Sequence, residues 1–156
     1  MANFAVLPRL FINKLPYLAQ GLVMVVLLFT GLDLSQSNLH IPLVFSGDAL
    51  HHLMITQAMI ESGWWWQIDR LSTPFGLQMV IFPVGGTLDY LMIKLLTLFN
   101  NSPGVVLNLF WIASFVLTGI CTTWALIRLG LSRPVSFAVG LLYAFIPHAF
   151  ARNISH

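Results

Sequence analysis

Three stretches of this chain carry long apolar runs, and most of the polar residues lie between the first and the second. From Leu15 to Leu32 no side chain is charged. A helix there, rising about 1.5 Å per residue, reaches roughly 27 Å, close to the ~30 Å hydrocarbon core of a bilayer. Gly104 to Ile127 is a second run of about 24 residues, interrupted only by Asn108 and a few hydroxyls. Pro134 to Phe150 is a third, shorter and weaker. The pattern predicts an all-α integral membrane protein with about three transmembrane helices.

The flanking charges orient these spans. Arg9 and Lys14 precede the first, which places the N-terminus in the cytoplasm. Between the second and third lies "RLGLSRP", whose Arg128 and Arg133 also belong on the cytoplasmic side; Pro134 suits the first turn of a new helix. A cleaved signal peptide is the rival for the first run, since Ser35-Gln36-Ser37 loosely resembles a small-x-small cleavage site. The length of the run and the membrane sequence that follows favour a span.

The segment from about Asp33 to Pro103 then becomes a long outer loop. Within it, Thr87 to Phe99 has the length of a short helix but carries Asp89 and Lys94. Were it to cross, the two-arginine loop would fall outside. An interfacial helix removes the conflict: Leu88, Leu91, Met92, Leu95 and Phe99 form an apolar stripe, with Tyr90, Lys94 and Thr97 opposite. Ala49 to Ser62 reads as a second amphipathic interfacial helix, stopped by Gly63. Leu50, Leu53, Met54 and Ile60 lie on one side of it, and Asp48, His51, His52 and Thr56 on the other. Ile55, Gln57 and Met59 fall on the wrong sides, so both faces are expected to touch lipid or protein. Between the two helices, Gly63 to Gly86 has no regular period, and its prolines and glycines imply an ordered, irregular loop. Trp64, Trp65 and Trp66 read as an interfacial anchor, with a sugar-stacking platform as the alternative.

Composition agrees with a membrane protein: of 156 residues, 58% are hydrophobic and 8% charged. The net charge is +2 and the Lys and Arg residues are scattered singly, so no basic patch can follow a nucleic-acid backbone. Cys121 sits in an apolar run and offers neither a disulfide framework nor a metal site. No Walker loop, H-E-x-x-H, C-x-x-C or G-x-S-x-G occurs. Any chemistry must come from isolated polar residues gathered at the membrane surface.

Asp48 heads the first outer helix, with His51 and His52 three and four positions later on nearly the same face. The competing reading of Asp48 is an N-cap, and of the histidines, amphipathic rings at a wet interface. No cofactor is expected, and a divalent metal lacks support, because adjacent histidines on a helix diverge by about 100°. Near the C-terminus His148, Arg152 and His156 recur at intervals of four, on the same side of the membrane as Asp48. Arg152 and the histidines could pair with a phosphate, and Lys94 could add a point charge. Snorkelling toward lipid headgroups is the alternative.

In order, the chain holds a first span, Gly47-Asp48 heading an outer helix, Gly63-Trp64, "LSTPFG", Phe82-Pro83, a second surface helix, "RLGLSRP" and "PHAFARNISH". This ordered set resembles the N-terminal part of bacterial C-type (GT-C) membrane glycosyltransferases, over nearly the whole chain. The resemblance implies a multi-span helical enzyme of the bacterial cytoplasmic membrane. Such an enzyme transfers a sugar from a polyprenyl-phosphate carrier to an acceptor at the outer face. It further implies that Asp48 is the general base, or orients the attacking hydroxyl, while the anomeric carbon inverts. Arg152 and Lys94 become candidates to stabilise the departing phosphate, with His51, His52 and His156 as further substrate-binding candidates.

Two departures matter. Members commonly carry another acidic residue in the second outer loop, whereas Ala151 to His156 contains none, and they have more than three spans. Residues 1–156 are therefore expected to be a single membrane domain, the N-terminal fragment of a larger enzyme, and inactive alone. The alternative is a small noncatalytic membrane protein that binds lipid or a partner through its interfacial helices, with Asp48 only a cap. A transporter fragment is disfavoured, since no confident span carries an ionisable residue at its middle.

Overall fold

The computed structural model describes residues 6–43, 45, 47–72, 74–79 and 86–147, with side chains from Lys14 onward. Among these, the chain forms α1 (Val6–Gly31), α2 (Asp48–Ser62), β1 (Gln67–Ile68), β2 (Leu77–Gln78), α3 (Thr87–Thr97), α4 (Pro103–Arg128) and α5 (Arg133–Ala144). α1 and α4 are long and apolar enough to cross a membrane. α5 has 12 residues, about 18 Å of helix, so among the described residues two helices rather than three reach spanning length.

The described chain packs as two units. Of the described residues, one comprises 6–36 and 112–147, and the other those within 37–111. In the first, α1 turns Gln20, Met24 and Leu28 inward, one turn apart, while Leu15, Leu18, Leu22 and Val26 point outward. Leu22 is 67% exposed and Gln20 fully buried, the reverse of the arrangement water would impose and the one helices adopt when lipid is the solvent. The Gln20 amide donates to the Gly119 carbonyl of α4 at 3.1 Å. The Thr123 hydroxyl lies within reach of both Gln20 Oε1 and the Ser136 carbonyl of α5. Gly119 and Gly140 make this closeness possible: a side-chain carbon at Gly140 would collide with Thr123 and Gln20 and come within 2.9 Å of the Gly119 carbonyl.

In the second unit α2 and α3 pack around Ile55, Ala58, Met59, Tyr90 and Ile93, joined by Trp65, Ile68, Met79 and Val106. The two strands form a short antiparallel hairpin pairing Gln67 with Gln78 and Ile68 with Leu77. It brings Ile68, and Met79 just beyond its end, against the core. Asn108, buried in the first half of α4, clamps the segment before α2. It accepts from the Leu43 amide at 2.8 Å and donates to the carbonyls of Leu39 and Ile41, each at 2.9 Å. Buried polar groups that are fully bonded in this way hold a single arrangement.

Both α2 and α3 turn a mixed face inward. α2 buries Ile55, Thr56, Ala58 and Met59, so the side assigned as polar is the one that packs, and Leu50 of the apolar side is exposed. On α3 the side holding Tyr90 and Thr97 is likewise inward, while Leu88 and Phe99 are 70% and 80% exposed. The tryptophans do not act as one platform: Trp65 is buried on Tyr90, with ring centroids 4.8 Å apart, Trp64 is half-buried and Trp66 exposed.

Candidate functional site

α2 begins abruptly at Asp48 because the residue before it is a glycine in a conformation other residues rarely adopt. Gly47 has φ 55° and ψ −130° and holds the N-cap position, and no side chain caps the helix. Asp48 is therefore the first helical residue and not the cap, and it is exposed. At that place a carboxylate interacts favourably with the positive end of the helix dipole while remaining open to solvent and ligand.

His51 and His52 follow on the next turn, both half-buried, with ring centroids 6.0 Å apart in an edge-on arrangement. His52 also lies 6.3 Å from the ring of Tyr90 on α3. At the opposite end of the pair, Lys94 of α3 donates to the carbonyl of Met59 near the end of α2, at 3.1 Å. The two contacts run in the same order along both helices. Asp89, in the first turn of α3, is close enough to His52 to act on its charge. Its carboxylate folds back over its own helix start: a side-chain carbon at Gly86 would lie 3.2 Å from Asp89 Oδ2.

The electrostatics converge on His52. Burial lowers its imidazole below the 6.5 of a free side chain, and His51 lowers it further. The carboxylates of Asp48 and Asp89 act in the opposite direction without overcoming burial. A neutral imidazole flanked by two carboxylates can accept a proton near neutral pH.

Of the residues singled out in the sequence, Asp48, His51 and His52 are brought together. Lys94 is not: its ammonium sits by Met59, about 16 Å along α2 from Asp48, and its hydrogen bond closes the end of that helix. His148, Arg152 and His156 lie outside the described residues. Among the described residues no group of three or more His, Cys, Asp or Glu side chains could hold a metal ion. An apolar pocket of about 410 Å³ in the first unit, lined by Leu27, Leu28, Leu32, Leu141, Leu142 and Phe145, offers no polar side chain for chemistry.

Asp89 is the residue that sequence reasoning passed over, noted only as a charge unsuited to a span. Its position three residues after Gly86, in the first turn of a helix, was readable; the packing of α3 on α2 that carries it to His52 was not. Comparison of the chain with known protein families, with curated proteins and with solved structures finds no match.

Proposed function

We propose that this chain carries the acceptor-side chemistry of a C-type membrane glycosyltransferase in the bacterial cytoplasmic membrane. In this reading α1 and α4 cross the bilayer, the N-terminus is cytoplasmic, and the segment from about Asp33 to Pro103 stands at the outer face. The sugar comes from a polyprenyl-phosphate carrier. The observation that carries the proposal is Asp48: an exposed carboxylate at the first position of α2, set there by Gly47 and not employed as the cap. Such a group can receive a hydrogen bond from an acceptor hydroxyl and align it with the anomeric carbon. The ordered motifs from Gly47-Asp48 to "RLGLSRP" support the same assignment through their resemblance to that family.

A second reading is favoured by one specific observation, the outward stripe of α3. Leu88, Leu91, Leu95, Leu98 and Phe99 are all more than half exposed, an apolar patch of the kind that marks a lipid or protein contact. In a glycosyltransferase this stripe rests on the outer leaflet beside the site. In a noncatalytic membrane protein the stripe is itself the functional surface.

Transfer of labelled sugar from a polyprenyl-phosphate donor separates the two, measured with the whole protein in lipid and a panel of hydroxyl acceptors. Transfer that disappears on Asp48→Asn with folding retained supports the enzyme. Absence of transfer by the native protein, together with lipid binding that depends on Leu91 and Leu95, supports the noncatalytic reading.

A further inference from the structure

His52 stands among charges contributed by two helices. Asp48 precedes it by one turn on α2, where side chains four apart share a face at about 5–6 Å, and Asp89 acts on it from the first turn of α3. The ring of Tyr90 lies 6.3 Å away on α3 and that of His51 6.0 Å away on α2. Asp48, His51, Asp89 and Tyr90 are thus the titratable groups that face it from the two elements. The residue is half-buried, beside the fully buried Tyr90, while Asp48 is exposed.

The division of labour between carboxylate and imidazole follows from their basicity. In water an imidazole exceeds a carboxylate by roughly 2.6 pK units, and proton transfer is most effective when the base titrates near the working pH. A carboxylate at an open helix start is suited to receive and aim a hydroxyl. A half-buried neutral imidazole beside it is suited to keep the proton.

We propose that His52 is the proton acceptor of the site, with Asp48 orienting the attacking hydroxyl and Asp89 balancing the imidazolium that forms. This deepens the glycosyltransferase reading and rests on it. In the step, the acceptor O–H bond breaks and its proton passes to a ring nitrogen of His52. The oxygen's electron pair forms the bond to the anomeric carbon. The bond from that carbon to the carrier phosphate oxygen breaks, and the polyprenyl phosphate departs with its electron pair. The imidazolium then returns its proton to water.

Two measurements on the whole protein in lipid test the assignment. Nuclear magnetic resonance titration of ring-labelled histidines is expected to place His52 below 6.5. Asp48→Asn and Asp89→Asn should each move it further down, and His51→Gln should move it up; a His52 titration indifferent to all three variants overturns the charge arrangement. The pH profile of sugar transfer should show an acid limb that follows His52. His52→Gln should remove that limb and lower the plateau about 100-fold or more, whereas Asp89→Asn should keep the limb and displace it to lower pH. Transfer whose acid limb survives His52→Gln overturns the role of His52 while leaving the glycosyltransferase reading intact. Absence of transfer by the native protein overturns that reading and the catalytic role together.

Discussion

The ammonium of Lys94 on α3 lies 3.1 Å from the carbonyl oxygen of Met59 near the end of α2. That carbonyl also accepts the Gly63 amide at 3.2 Å, so the ammonium adds a second, charge-assisted bond at the negative end of the helix dipole. Lys94→Met retains most of the stem and removes the donor. It should destabilise residues 37–111 by about 1 kcal/mol, read as a lowered melting temperature, and should leave sugar transfer per folded molecule nearly unchanged. Loss of transfer without loss of folding would return Lys94 to the phosphate role suggested by the sequence.

Gly140 is closely surrounded where α5 meets Gln20 and Thr123. Gly140→Ala forces buried polar partners apart and should measurably destabilise the α1–α4–α5 packing, by about 1–3 kcal/mol. Gly31 has nothing within 4 Å of a would-be side-chain carbon, so Gly31→Ala should be close to neutral. Unfolding of the two variants in the same lipid or detergent makes the comparison, and equal stability contradicts the packing described.

His52 gives residues 37–111 a dependence on acid. Its pKa is lowered on folding, so the unfolded chain binds the proton more readily. The stability it contributes is fully present above the 6.5 of a free imidazole, falls as pH drops below that value, and is lost once pH passes the lowered folded pKa. Melting temperature should therefore decline on acidification in this window, and His52→Gln should flatten the decline. An unaltered pH dependence in the variant contradicts the burial of the ring.

The outward stripe of α3 gives a labelling experiment. With Cys121 replaced by Ser, Leu95→Cys should react slowly with a charged, membrane-impermeant maleimide in native membranes and quickly after detergent extraction. Fast reaction in membranes would place the stripe in water and remove the interfacial helix from the account.

Element positions were largely readable because they depend on local signals. Ala49 to Ser62 was anticipated, and α2 adds only Asp48; its end follows from Gly63, whose φ of 96° few other residues tolerate. α3 was anticipated from Thr87 and ends at Thr97 rather than Phe99. α1 begins at Val6, well before the uncharged run, because Arg and Lys are good helix formers and an apolar run marks where lipid can be met, not where a helix starts. The packing faces were readable in part. The division of α3 into a leucine stripe and a face holding Tyr90 and Thr97 was legible, and the second is the one that packs; on α2 the inward side mixes Ile55 and Met59 with Thr56. Within the site, the Asp48-His51-His52 spacing was local and legible, whereas the approach of Asp89 depends on the tertiary contact of α2 with α3.

The most direct measurement of the central claim is sugar transfer by Asp48→Asn against the native protein, in lipid, with folding checked by the melting temperature. Asn is nearly isosteric with Asp and keeps one oxygen as an acceptor, so the negative charge and the second carboxylate oxygen are what the variant removes. A loss of transfer of about 100-fold or more is expected, with stability lowered by no more than about 0.3–1 kcal/mol, the lost charge–dipole interaction. Native-like transfer by the variant would contradict the assignment of Asp48 to the reaction.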